Sequence, residues 1–363
     1  MRSRELTAVK GIFWAPPSES YPGVLPDRTD ILVIGGGIAG TSLMHHLARR
    51  RFSAVLVESR HLAFGASGRN AGFLLAGVAD CYAEAVRIFG RSKAREVWQV
   101  TDENHDRMVE AVAGTDVGYR RLGSTTFASG DEERARLEES AQLLQDDGFS
   151  ASWDGVRLLN PRDGEVDPAA VVGALAGRLR DGAIREGVEV TAIEPSGEEV
   201  TVRAGERECR AGVVVLATNG YTSLLLPQVK IQPTRAQMLA SAPLSRSVCD
   251  MPTYSHFGYR YWRQLPSGEV LIGGWRDTSL ETEVGYDDQP TDQIQEHLDR
   301  KLAEMDAGAE VTHRWAGIMG FTETGLPLVG PVEGMKNVYT CAGFNGHGMG
   351  FAFMSARRLV EML

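Results

Sequence analysis

The sequence predicts an α/β chain, α+β overall, in which a parallel sheet is joined to a second, mainly antiparallel sheet with inserted helices. Three observations predict it. The apolar run Asp30–Ile34 stops at glycines spaced as Gly35, Gly37 and Gly40 and passes into a helical pattern. Cys209–Gly220 becomes continuously apolar and ends in small polar residues, the pattern of a strand covered on both faces. Between Gln232 and Arg314 the runs alternate and are rich in aromatic residues, as in Tyr259–Gln264 and Glu269–Trp275, joined through Pro266-Ser-Gly268. That is hairpin chemistry.

Taken in order, residues 1–29 read as an extended arm: Gly11–Pro17, Tyr21-Pro22 and Pro26 are proline-rich, and Trp14 reads as a packing anchor. The first strand and helix follow, then a second strand, Ser53–Glu58. Cys81–Asp147 carries charges at helical spacing over Ala83–Ala113 and Asp131–Asp147, with a short apolar stretch, Gly118–Ala128, between. Asp167 opens a helix expected to run to about Arg185, leading to strands at Val188–Ile193, Glu199–Arg203 and Cys209–Gly220. Past the hairpin region come a helix over Asp292–Met305, a strand and glycine-rich turn over Asn337–Gly350, and a final helix. No repeat or low-complexity tract is present.

The first glycine turn has its own chemistry. Gly35 allows a tight turn, Gly37 lets a pyrophosphate approach the backbone, and Gly40 lets the helix pack closely on the strand. The helix N-terminus offers free N–H groups and the positive end of a dipole. Glu58, roughly 20 residues beyond Gly35, stands where a carboxylate accepts ribose hydroxyls. Strand, glycines, helix and acid in register define a Rossmann-like dinucleotide site.

A chain of 363 residues with 43% apolar and 24% charged content can bury a large core in two or three domains. A net charge of −10 argues against nucleic acid or an anionic membrane as partner, and no run is long and apolar enough to span a bilayer. The polar Met1–Lys10 lacks the apolar core of a secretory signal, so the expected location is cytoplasmic. Cys81, Cys209, Cys249 and Cys341 are scattered, and the histidines, including His45-His46, show no ligand spacing, so no metal is expected.

Four segments together resemble the flavoprotein amine oxidases of the D-amino acid oxidase, glycine oxidase and sarcosine oxidase superfamily. They are the Gly35–Gly40 turn with Glu58, the loop Gly65-Ala-Ser-Gly-Arg-Asn-Ala-Gly72, the strand end Val215–Gly220, and Gly343-Phe-Asn-Gly-His-Gly-Met-Gly350. The proline- and aromatic-rich arm, Ser67–Asn70, Pro233–Gln237 and Trp315–Gly317 through Gly325–Pro327 most resemble gamma-glutamylputrescine oxidase-like members. The resemblance implies a discontinuous FAD-binding domain over 30–85, 160–231 and 315–363 with the parallel sheet. A substrate domain over 86–159 and 232–314 would carry the antiparallel sheet and inserted helices.

It also implies site residues. Gly35, Gly37, Ile38, Ala39 and Gly40 would surround the pyrophosphate, and Glu58 and Ser59 the adenosine ribose. Ser67, Gly68, Arg69 and Asn70 would serve the pyrophosphate and flavin surroundings, with the Val190 backbone at the adenine and Ala217 and Thr218 at a strand end beside the cofactor. Gly346, His347, Gly348 and Met349 would run beside the ribityl chain and the flavin N1–O2 edge, where a helix dipole stabilises the charge of reduced flavin. Relatives carry a carboxylate-gripping arginine where this chain has Met319. They carry a flavin-linking cysteine where Gly317–Phe321 has none, so the FAD is expected to be noncovalent. Aligned on Gly274, the lysine that activates oxygen becomes Ile272.

The reaction so implied is oxidation of a C–N bond in an amine or amino-acid-like substrate: hydride passes to flavin N5, the imine hydrolyses, and oxygen accepts the electrons to give hydrogen peroxide. Substrate-facing candidates are Tyr259, Tyr261 and Trp275, with Trp262 and Arg276 on the same layer and Met319 near the ring. An aromatic cage suits an amine. The alternatives are a flavin dehydrogenase with another electron acceptor and a flavin-binding protein without turnover; a nicotinamide-only dehydrogenase is more distant. The FAD reading requires the residue-36 and residue-345 bends to meet in one trough.

Overall fold

The computed structural model describes residues 10–50 and 52–363. Residues 1–9 of the expected arm lie outside them. The first half of the chain holds β1 (Arg28–Ile34), α1 (Ile38–Leu47), β2 (Ala54–Glu58), β3 (Phe73–Leu74), α2 (Tyr82–Phe89), α3 (Arg91–Ala111), β4 (Ser124–Phe127), α4 (Asp131–Asp146), β5 (Ser152–Trp153), β6 (Arg157–Asn160), β7 (Gly164–Glu165) and α5 (Pro168–Ala176). There follow β8 (Ile184–Glu186), β9 (Ala192–Ser196), β10 (Glu199–Ala204), β11 (Arg207–Leu216), α6 (Thr222–Leu225), β12 (Gln232–Ser241), β13 (Thr253–Ser255), β14 (Arg260–Gln264) and β15 (Val270–Gly274). The chain closes with α7 (Asp292–Met305), β16 (Val311–Phe321), β17 (Leu328–Pro331), β18 (Val338–Ala342) and α8 (Gly348–Met362).

The first sheet runs β17-β18-β11-β1-β2-β8 and is parallel from β18 to β8, with β10 and β9 folded antiparallel onto the start of β11. Both faces are covered, which is why its strands read as unbroken apolar runs. Ile31, Val33 and Leu56 point to one side, into a core shared with α1 and α8. Leu32, Ile34, Val55 and Val57 point to the other, where Val188, Val190, Val200 and Val202 meet them.

The helix expected from Asp167 to about Arg185 is shorter. The Asp167 side chain caps its start by accepting from the Ala169 and Ala170 amides, the helix stops at Ala176, and Ile184–Glu186 is a strand beside β2. Asp181-Gly182 turns the chain between them, with Gly182 at φ +75°. The strand expected over Val188–Ile193 begins instead at Ala192. The helical span Ala83–Ala113 is divided at Gly90, whose φ of +79° ends α2 before α3 starts.

The second sheet runs β16-β12-β15-β14-β13-β4-β6-β5 and is antiparallel except for β13 beside β4. Helix α7 packs Ile294, Leu298 and Leu302 onto its outer face, against Leu239, Val270 and Ile272. Strand β16 pairs with β12 from Phe321 to Val311, so the expected boundary at residue 315 falls inside a strand of this sheet. Helix α3, expected with the substrate domain, packs against α8, which covers one face of the parallel sheet.

One buried ion pair ties the layers together. Arg263 on β14 meets Glu165 on β7 at 3.0 Å and donates to the Ala71 and Val166 carbonyls at 2.8 Å. Burial pulls the Arg263 guanidinium down to about 10, against the opposing effect of Glu165.

Candidate active site

The trough between the two layers has a volume of about 690 Å³, and both glycine bends open onto it. At the first, Gly35 has φ +111° and a Cβ there would lie 2.7 Å from the Ala217 carbonyl oxygen. A Cβ on Gly37 would lie 2.7 Å from Ser67 Oγ, which accepts from the Ile38 amide at 2.9 Å. Glu58 Oε2 accepts from the Gly36 amide at 2.7 Å, and Oε1 from Ser59 Oγ and the Arg60 amide. A carboxylate has about four lone-pair directions, so acceptor capacity for ribose hydroxyls is left over.

The second bend is held by side chains distant in sequence. Asn219 Oδ1 accepts from the Gly343 and Phe344 amides at 3.0 and 3.3 Å. Asn345, with φ +52°, accepts from the Thr322 amide and donates to the Gly343 carbonyl, both at 2.8 Å. Gly346 then passes under Met319, whose Sδ would lie 3.3 Å from a Cβ at that glycine, and α8 begins. Two long helices, α1 and α8, therefore present their N-termini to one trough, an arrangement suited to anionic and electron-rich groups.

The connecting loop is pinned from both sides. Trp14 Nε1 donates to the Asn70 carbonyl at 2.7 Å and Trp315 Nε1 to the Arg69 carbonyl at 2.9 Å. Asn70 shapes the loop itself, donating to Ala66 and Ser67 and accepting from Gly72. Arg69 spends its guanidinium on the protein: it donates to the Phe64 and Ala316 carbonyls and pairs with Asp288 at 2.8 Å.

Of the residues singled out for the cofactor, Gly35, Gly37, Ile38, Ala39, Glu58, Ser59, Ser67, Arg69, Asn70, Ala217, Thr218 and Gly346–Met349 line the trough. Three do not. Gly40 and Gly68 are packing positions, where a Cβ would meet the Gly35 carbonyl at 1.9 Å and the Ala63 carbonyl at 2.3 Å. The Val190 side chain is buried among valines on the far face of the parallel sheet, which leaves its backbone for the contact expected of it, and the neighbouring Glu189 lines the trough.

On the antiparallel layer, Tyr259, Tyr261, Arg276 and Met319 line the trough, whereas Trp275 and Trp262 do not. The two tryptophans border a separate hollow of about 360 Å³ beside α7. The reason is strand parity: Tyr261 and Arg263 point inward, which turns Arg260 and Trp262 outward, and Trp275 leaves the strand end at φ +63°. Ile272 likewise faces α7. No lysine and no cysteine are among the trough's described lining residues.

Several lining residues had no distinct signal in the sequence. Tyr254 stacks on His347 at 6.3 Å and meets Tyr261 edge-on at 5.7 Å, while Phe73 stands edge-on to Tyr254 at 5.4 Å. Burial pushes the Tyr254 hydroxyl far above its usual value and that of Tyr261 to about 12, so both stay protonated donors. Burial also pulls His347 down to about 4, partly opposed by a hydrogen bond to the Gly77 backbone, which leaves the ring neutral at pH 7. Tyr221, Tyr286, Asp288 and Phe321 complete the rim and walls. Only the position of Phe73, directly after the Gly65–Gly72 loop, offered a clue.

A parallel dinucleotide-binding layer facing an antiparallel aromatic layer across one trough defines a two-layer nucleotide-dependent oxidoreductase. The chain belongs to the DAO family of FAD dependent oxidoreductases, whose model it matches over residues 30–362. Gamma-glutamylputrescine oxidoreductase from Escherichia coli is 25% identical, over 92% of this chain and 83% of that protein. Glycine oxidase from Bacillus licheniformis is 24% identical over 93% of each. The crystal structure of L-proline dehydrogenase from P. horikoshii shares the fold with a TM-score of 0.76 at 22% identity, over 93% of this chain and 94% of that one.

The residues present fit FAD. Gly37 at the first bend and Gly346 at the second leave open the space a Cβ would take, both bends open on helix N-termini, and the trough is lined from Glu58 past Gly37 to Gly346 and the tyrosines. No group of three or more metal-ligating side chains occurs among the described residues, and none of their helices is long and apolar enough to cross a membrane.

Proposed function

We propose that this enzyme oxidises the C–N bond of an amine or amino-acid-like substrate at the tyrosine-walled end of the trough. The observation that carries this reading is that end's composition: Phe73, Tyr254 and Tyr261 meet edge-on as an aromatic wall, with Tyr254 stacked on His347 at the start of α8 and no nucleophile–base pair among them. FAD bound along the trough supplies the two-electron acceptor. Gly35, Gly37, Ile38, Ala39 and Ser67 would surround its pyrophosphate, Glu58 and Ser59 its ribose, and Gly346–Met349 its flavin edge.

The chain's own groups orient and desolvate the amine. The aromatic rings exclude water, and the protonated Tyr254 and Tyr261 hydroxyls donate hydrogen bonds without becoming bases. The family resemblance and the amine- or amino-acid-directed names of the relatives support the same chemistry.

Oxygen is the acceptor of this reading, giving hydrogen peroxide. A second reading, a dehydrogenase using another acceptor, is favoured by one observation: Ile272 faces α7, and no lysine lines the trough among the described residues. The absence of a lining cysteine supports noncovalent FAD. An anaerobic screen of amines against the FAD-loaded enzyme tests the function, with bleaching of the flavin the expected result. Failure of every amine to bleach it would overturn the proposal in favour of a non-catalytic flavin-binding protein. Oxygen uptake with a bleaching amine separates oxidase from dehydrogenase, and acid precipitation that leaves the yellow colour in the pellet would refute noncovalent binding.

A further inference from the structure

We propose that Arg276 grips an acid group which the substrate carries several bonds away from the reacting C–N bond, so that the preferred substrates are ω-amino acids or their N-alkyl forms rather than α-amino acids. This rests on the amine reading above. The neighbouring arginines are all matched by carboxylates: Arg69 by Asp288, Arg235 by Glu283, Arg260 by Asp277 and Arg263 by Glu165. The Arg276 guanidinium has no such partner among the described residues. It lies instead between two rings, 4.6 Å from that of Tyr259 and 4.8 Å from that of Phe321, and it lines the trough. Arg60, the other lining cation without an ion pair, stands at the opposite end beside Glu58.

A guanidinium held against aromatic rings is partly desolvated and lacks the anion that compensates for it elsewhere in this layer. Five N–H donors in a planar fork match a carboxylate. The spacing selects the kind of acid. Met319 and Phe321 point to the same face of β16, two residues apart, and a strand advances about 7 Å over that step. Met319 stands against the Gly346 corner that marks the reacting end, whereas the Arg276 cation lies over Phe321, one repeat along. An offset of that order matches an acid set off from the amine nitrogen by a spacer of several methylenes better than one on the carbon next to it.

The test uses the FAD-loaded enzyme and two readouts. Unreactive acetate, butanoate and butanamide are titrated against the visible flavin spectrum; butanoate is expected to bind more tightly than acetate or butanamide. Arg276→Gln should weaken butanoate about tenfold or more and leave butanamide unchanged, with partial recovery in Arg276→Lys. In anaerobic bleaching, 4-(methylamino)butanoate should outpace both sarcosine and N-methylpropylamine, with the advantage lost in Arg276→Gln. Faster bleaching by sarcosine, or an equal effect of Arg276→Gln on butanoate and butanamide, overturns the proposal. Arg276-dependent binding of butanoate with no bleaching by any amine would uphold the clamp and sink the amine reading instead.

Discussion

Arg69 and Asp288 meet at 2.8 Å across the entrance to the trough, joining the 65–72 loop to the segment that links β15 to α7. The Arg69 side chain is buried, and its remaining hydrogen bonds reach Phe64 and Ala316, so one guanidinium holds a loop beside the parallel sheet, a strand of the antiparallel sheet and the rim. Asp288→Asn removes the charge while leaving both carbonyl contacts. We expect FAD to dissociate several-fold faster with little change in melting temperature, because the exposed side of the pair is solvated. Unchanged FAD release, followed by fluorescence of the freed flavin, would show that the rim does not retain the cofactor.

Gly37 and Gly40 are expected to fail differently. Gly37→Ala sets a methyl 2.7 Å from Ser67 Oγ, a side-chain atom, and blocks the close approach to the backbone. It should lower FAD affinity at least tenfold while the apoprotein folds. Gly40→Ala sets the methyl 1.9 Å from the Gly35 carbonyl, so the helix must leave the strand, and the apoprotein itself should lose several kcal/mol. Denaturant unfolding and FAD titration on both variants distinguish the two effects.

Glu165 is 1% exposed in its side chain and also pairs with Arg120. Glu165→Gln leaves Arg263 buried without its anion, which is expected to cost about 3–5 kcal/mol. A loss below about 1 kcal/mol in denaturant unfolding would mean that water reaches Arg263.

Asp163 supplies a pH signature. Burial raises its carboxyl to about 7, although it accepts from the Ala76 amide at 3.0 Å and bonds Ser124 Oγ at 2.6 Å. Its ordinary value is 3.8, so between about pH 4 and pH 7 the unfolded chain has released this proton and the native protein still holds it. Its contribution therefore makes stability fall as pH rises through that window. Asp163→Asn should flatten this fall and be more stable than the parent near pH 8 by roughly 1–3 kcal/mol. Parallel pH profiles for the two proteins would exclude the assignment.

Much of the fold was legible because short-range patterns carry it. The unbroken apolar runs of β1 and β11 state that both faces are covered, and the Gly35–Gly40 spacing states what lies at the end of β1. The same logic worked for α4, α7 and the hairpin of β14 and β15. It failed where a local signal was outvoted by neighbours. Residues 184–186 follow a helical stretch yet pair with β2, and the helix pattern over 83–113 breaks at Gly90.

The chain's order of residues by itself determined that there is a glycine corner, an acid and two helix starts, the pattern of a dinucleotide site, since each depends on residue types within a few positions of one another. Only the tertiary structure decided which aromatic side chains face it. Parity along β14 turns Tyr261 inward and Trp262 outward, and a one-residue change of register would exchange them. Tyr254, Asp288 and Phe321 join the trough through pairings between segments that no local pattern links, so their roles arise from packing.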